Sequence, residues 1–356
     1  MKNITFCIKT NDALCFFLFH IVLLFEIHLW RRLDERKWIQ DLAMNHKRIR
    51  QRSEDLHAKL NEKFIGTFKG QEVERKVQIT GNTDIPVTIY TPIDAKKDKM
   101  VIFFHGGGHV INSRKTHQTI VNIIADATKS IWISVEYRLG PEYKFPIWLD
   151  DACEVTQHIL ANKTSYGGEE NTKVGVAGDS GGGMTAASVC RTIKNLDFQV
   201  LICGHFEMAN SSASRQEFNK PQFVITIDVL NWFYANAFHN KDDEKSPRLD
   251  FLHNQVSSTI PPCLFIVAEL DPLLDDSYQY QEVLNKAGVK TKLVLIKGAI
   301  HPFFALPGIF TKSCQQVVDA LECHRHYFVL LCRLVLSSFS NIIKISLPFC
   351  YKWIRD

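Results

Sequence analysis

At 356 residues and 46% hydrophobic content, the chain is long enough for one large α/β domain with extensions and apolar enough to build a sizeable core. A formal net charge of +4, with no Lys/Arg block interleaved with aromatics, excludes a nucleic-acid surface as the organising function. The ten cysteines show neither C-x-x-C pairs nor histidine spacing that suits a metal, so no metal site and no dense disulfide framework is expected.

Residues 13–30, ALCFFLFHIVLLFEIHLW, form an apolar run followed at once by Arg31 and Arg32, about the length of a membrane-crossing helix. His20, Glu26 and His28 are costly in hydrocarbon, and no small-residue cleavage site follows. Residues 1–32 therefore read as an uncleaved membrane anchor, with a buried helix of the soluble part as the alternative. Residues 33–72 place Trp38, Leu42, Ile49, Leu56 and Leu60 at helical spacing among charges, which predicts an amphipathic segment that caps the core or lies near a membrane.

Residues 73–80 and 85–91 alternate apolar and polar side chains around Gly81-Asn82-Thr83-Asp84 and predict a β-hairpin. Short apolar runs follow at 100–104, 131–137, 173–177, 199–203, 263–268 and 292–296, separated mostly by helical patterns. This alternation predicts an α/β fold with a doubly wound, mainly parallel central sheet and helices on both faces. Residues 210–259 interrupt it with Trp232, Phe233, Tyr234 and Phe238, a segment expected to cover the C-terminal edge of the sheet and shape a pocket.

Within residues 173–184, KVGVAGDSGGGM, Ser180 stands between Gly178 and Gly182 in a G-x-S-x-G pattern. A serine lifted onto a sharp strand-to-helix turn is strained, and bulky neighbours two positions away would collide with it. The strand ends at Ala177, a helix is expected over 184–193, and the Gly181 amide would point at whatever Ser180 attacks. The bland alternative is a glycine-rich turn. A second cluster, His105-Gly106-Gly107-Gly108-His109, follows the strand at 101–104 and can offer amides to a developing oxyanion. A phosphate-cradling loop would need G-K-[ST] or G-x-G-x-x-G, and neither is present. Asp271 and His301 both fall just past strand ends on the edge where Ser180 sits, in the order Ser, Asp, His. Asp275 and Asp276 are equally eligible as helix-capping acids, and the chain has fourteen histidines.

Taken together, His105-Gly106-Gly107-Gly108, residues 135–142 (VEYRLGPE) with Phe145-Pro146, Gly178-Asp179-Ser180-Gly181-Gly182-Gly183 and Asp271-Pro272-Leu273 resemble the hormone-sensitive lipase family of α/β-hydrolases. With the apolar segment before the hairpin, the likeness is greatest to the arylacetamide deacetylase and neutral cholesterol ester hydrolase group. The resemblance covers 73–328 as the hydrolase domain with a partly helical cap. It implies hydrolysis of lipophilic carboxylic esters or amides at the endoplasmic reticulum membrane, with no metal or organic cofactor. Ser180 is the expected nucleophile, His301 the base and Asp271 the acid that orients it; Gly107, Gly108, Gly181 and a further candidate, Gly106, would form the oxyanion hole. His105, Gly178, Asp179 and Gly182 support these motifs. The competing class is a non-catalytic relative that binds a small molecule in the same pocket.

Three positions depart from the family pattern: Gly181 replaces its usual alanine, Pro302 its usual glycine, and His109 its usual aromatic. The family's closing helix would end near Phe328, which leaves 329–356 as an apolar tail without a counterpart. Charge bias around residues 13–30 favours a cytoplasmic domain, whereas the resemblance and the sequons at Asn162 and Asn210 favour the lumen.

Overall fold

Strands that are apolar at every position need cover on both faces, and the chain supplies two helical layers for them. The computed structural model describes residues 35–64 and 66–336. Its strands are β1 (Gln71–Ile79), β2 (Thr83–Thr91), β3 (Lys99–Phe104), β4 (Ile131–Val135), β5 (Lys173–Asp179), β6 (Phe198–Ile202), β7 (Cys263–Leu270) and β8 (Thr291–Ile300). The helices are α1 (Glu35–Leu60), α2 (Gln118–Thr128), α3 (Ile147–Ala161), α4 (Gly181–Thr192), α5 (Ala213–Glu217), α6 (Ile227–Ala237), α7 (Leu274–Lys286) and α8 (Thr311–Leu336).

One sheet runs β1-β2-β4-β3-β5-β6-β7-β8. The hairpin β1–β2 and the β2–β4 pair are antiparallel, and every pairing from β4–β3 onward is parallel. Strand pleating divides the side chains between two cores. Met100, Ile102 and Phe104 of β3 join the core that holds Trp148 of α3, Met184 of α4 and Tyr280 of α7. Val101 and Phe103 face the other, with Ile120 and Ile124 of α2 and Val317 of α8. Because the parallel strands share one direction, the loops that leave β3, β5, β6, β7 and β8 all emerge at one edge.

The strand assignments from sequence hold, and two helix boundaries shift. Helix α4 begins at Gly181, three residues before the expected start, since its glycines can pack where a side chain could not. Helix α8 runs to Leu336 rather than ending near Phe328, because 329–336 contains no proline or glycine to stop it. No helix among the described residues is long and apolar enough to cross a membrane. The anchor candidate at 13–30 and the tail beyond 336 lie outside the described residues.

Over its described side chains, from residue 46 onward, helix α1 packs apolar residues inward, and its polar residues fasten it to the site edge. Ile49, Leu56 and Leu60 pack on the core. Arg50 donates to Val110 O at 2.8 Å and Gly140 O at 2.6 Å and pairs with Glu142. At the other end Asn61, buried, donates to Ala305 O at 3.0 Å and accepts from Gly308 N at 2.9 Å. Asn61→Ala strands both partners and is expected to lower stability by about 1–3 kcal/mol, read as an earlier urea midpoint at unchanged slope.

Candidate active site

The turn between β5 and α4 holds Ser180 at φ 53 and ψ −122, a conformation that costs energy for any residue with a side chain. It persists because its surroundings leave no alternative. A Cβ on Gly178 would collide with the carbonyl of Gly182, and a Cβ on Gly182 with the carbonyls of Phe104 and His105. Both glycines let α4 start against the end of β3. Ser180 N donates to Ile202 O at 2.9 Å, which ties the turn to β6.

His301 lies between the serine and a carboxylate. Its Nε2 is 2.9 Å from Ser180 Oγ and its Nδ1 is 2.9 Å from Asp271 Oδ2. An ionised carboxylate only accepts, so Nδ1 carries the proton and Nε2 receives the serine hydroxyl. The other oxygen of Asp271 accepts from Leu273 N at 2.8 Å, which fixes the carboxyl plane. Burial pulls the His301 pKa down, but the Asp271 charge and hydrogen bond overcome it and hold the ring above its ordinary 6.5. Asp275 and Asp276 are directed elsewhere, Asp275 to Ser214 N and Asp276 to the buried Arg215. Pro302 does not disturb the relay, because it occupies the first turn of the short helix at His301–Phe303, where a missing N–H is harmless.

The glycine loop after β3 has two parts with different duties. Gly106 N donates to Asp179 Oδ1 at 2.9 Å, so Gly106 is corrected from an oxyanion donor to an anchor of the loop. Asp179, next to the serine, also accepts from His117 Nε2 at 3.2 Å. Burial opposes its ionisation, and His117, His105 and the Gly106 amide more than offset this, leaving its pKa below the usual value. His105 stacks on Tyr137 with ring centres 4.6 Å apart, and Tyr137 Oη donates to His105 O. Gly107 and Gly108 take φ of 116 and 57, and their amides, with that of Gly181, have no acceptor among the described residues. Of these, Gly108 and Gly181 line the space in front of Ser180, where donors suit an oxygen that gains negative charge.

In front of Ser180 and His301 is a cavity of about 380 Å³, counting the part open to solvent, walled by Ile225, Leu230, Phe233, Phe238 and Leu273. The segment 210–259 supplies four of these five, Leu230 and Phe233 from α6 and Ile225 and Phe238 from either side of it. A Cβ on Gly108 would run into the Phe233 ring, so the loop and the wall are in direct contact. His205 and Tyr234 also line the cavity, but their polar atoms are turned to each other at 2.7 Å, and Arg215 donates to the same hydroxyl at 3.1 Å. Sequence reasoning missed His117, His205 and Arg215, each an isolated residue without a local pattern. No group of residues suited to a metal ion occurs among the described residues.

Residues 101–305 match the family described as alpha/beta hydrolase fold. The chain is 29% identical over 255 residues to the ethyl acetate hydrolase of Pseudomonas putida, covering 67% of this chain and 79% of that one. It is 30% identical over 246 residues to the carboxylesterase NlhH of Mycobacterium tuberculosis, covering 65% and 76%. A solved esterase from Pyrobaculum calidifontis superposes with a TM-score of 0.72 at 30% identity, over 81% of this chain and 96% of that one. Gly182→Ala, which forces a methyl group against β3, is expected to cost about 1–3 kcal/mol in a thermal or urea melt.

Proposed function

The chain belongs to the α/β-hydrolase fold family, and from that premise we propose that it is a serine hydrolase that cleaves carboxylic esters. The observation that carries this is the relay from Ser180 through His301 to Asp271, with both hydrogen bonds at 2.9 Å, facing an apolar cavity. Ser180 Oγ attacks the acyl carbon as its proton passes to His301 Nε2. The carbonyl oxygen takes the electron pair and is held by the amides of Gly107, Gly108 and Gly181. On collapse the C–O bond to the alcohol breaks and His301 protonates the leaving oxygen. Water then attacks the acyl-serine by the same route, with His301 taking its proton and returning it to Ser180. A non-catalytic binder would have no use for this relay.

The substrate is lipophilic in this reading, since the cavity walls are aliphatic and aromatic and the polar atoms of His205 and Tyr234 are satisfied internally. The specific likeness to the arylacetamide deacetylase group, and with it amide as well as ester cleavage, rests on the sequence motifs and the N-terminal apolar run. That run, residues 13–30, anchors the protein to the endoplasmic reticulum membrane with the hydrolase domain lumenal. Two sequons support this orientation. Asn162 is exposed at the end of α3, with its side-chain amide nitrogen donating to His158 O at 2.8 Å, and the half-buried Asn210 carboxamide is engaged by Arg215 and Asn231.

Three outcomes are expected. Ser180→Ala should hydrolyse p-nitrophenyl esters more than about 10³-fold more slowly while it unfolds at an unchanged temperature; ordinary turnover in that variant would refute the assignment. For the wild type, kcat/KM should fall as pH drops through one ionisation above 6.5, because protonated His301 cannot accept the serine proton. In a microsomal preparation, glycosidase should shift the mass of the wild type but not of the Asn162→Gln, Asn210→Gln double variant, and digestion of the domain in sealed vesicles would rule out the lumenal orientation.

A further inference from the structure

His109, one of the three departures from the family pattern, makes contacts that tie together two parts of the site arriving from different strands. Its ring is buried and stacked on Trp148 with centres 3.8 Å apart and planes at 14°. Nε2 lies 2.9 Å from Gly181 O and 3.0 Å from Thr185 Oγ1, and the Thr185 hydroxyl itself donates to Gly181 O at 3.2 Å. A carbonyl oxygen only accepts, so Nε2 carries the ring proton. His109 is also fastened at its own backbone, where its carbonyl accepts from Gly140 N at 2.8 Å. The second observation is the space at Gly181. A Cβ there would sit 3.1 Å from His109 Cε1 and 3.2 Å from both Gly108 N and Gly108 Cα, tighter than such contacts normally are.

On the hydrolase reading given above, we propose that His109 is a positioning residue: its Nε2–H clamps the glycine loop after β3 to the first turn of α4 and so sets the spacing between the Gly107 and Gly108 amides and that of Gly181. The missing side chain at Gly181 is part of the same arrangement, since a methyl group would press on the His109 ring and on the Gly108 amide together. The charge state fits, because burial pushes the His109 pKa down to about 3 and the ring stays a neutral donor. Misplaced donors weaken the transition state more than the bound substrate, so the effect belongs in kcat.

Two substitutions separate this from simple packing. His109→Phe keeps an aromatic ring on Trp148 and loses the donor, whereas His109→Gln places an amide N–H near the Nε2 position and loses the stacking. With p-nitrophenyl acetate and the full chain, His109→Phe should lose about 10-fold or more in kcat with KM within about 3-fold of wild type. His109→Gln should exceed it in kcat despite a lower melting temperature. Gly181→Ala, which keeps the ring, should lose kcat at unchanged KM and gives a reading even if the glutamine variant fails to fold. Wild-type kcat in His109→Phe or in Gly181→Ala, or a folded glutamine variant no faster than the phenylalanine one, overturns the clamp. A wild-type chain without turnover overturns the hydrolase reading and this proposal with it.

Discussion

The serine turn exists only because two backbones touch where no side chain could stand. Gly178 and Gly182 let the start of α4 lie directly against the end of β3, and that contact holds Ser180 at a φ that it would otherwise leave. The same approach brings the glycine loop after β3 next to the first turn of α4. The Gly108 amide of the loop and the first turn of α4 are thus brought side by side. The sheet makes this contact rigid, since β3 and β5 are paired in parallel along their whole shared length and buried on both faces. Strain at the serine is therefore supported by the core rather than by the loop itself.

Electrostatics then distinguishes one histidine from its buried neighbours. Burial lowers the pKa of His57 to about 4 and of His105 to about 3, and it lowers His205 as well, so these rings remain neutral. His301 is equally enclosed, but it alone among these hydrogen-bonds a buried carboxylate, and its pKa rises instead. A ring that gains a proton readily and holds it beside Asp271 is what a base that must return that proton requires. The neutral rings serve as fixed parts of the wall and the loop, as His105 does against Tyr137.

Much of this was legible in the chain because the signals were local. Each strand was a short apolar run, the hairpin announced itself at Gly81-Asn82, and Ser180 was flanked by its glycines. Whatever depends on contacts between distant segments was not legible. Asp271 was singled out by its place just past β7, but the partners that occupy Asp275 and Asp276, Ser214 and Arg215 of α5, carried no local signal. Gly106 reads like Gly107 and Gly108, yet its amide is taken by Asp179, more than seventy residues away in sequence. Arg50 of α1 carries no motif at all, although it fastens that helix to Val110 and Gly140 beside the glycine loop.

The central claim, that Ser180 is a nucleophile activated through His301, is tested most directly by covalent capture. Incubation of the full chain with a fluorophosphonate, followed by intact-mass and peptide analysis, should yield one adduct, located on Ser180, and its formation should slow at least about 10³-fold in His301→Ala. An adduct on another residue, or labelling of Ser180 at an unchanged rate without His301, would contradict the account.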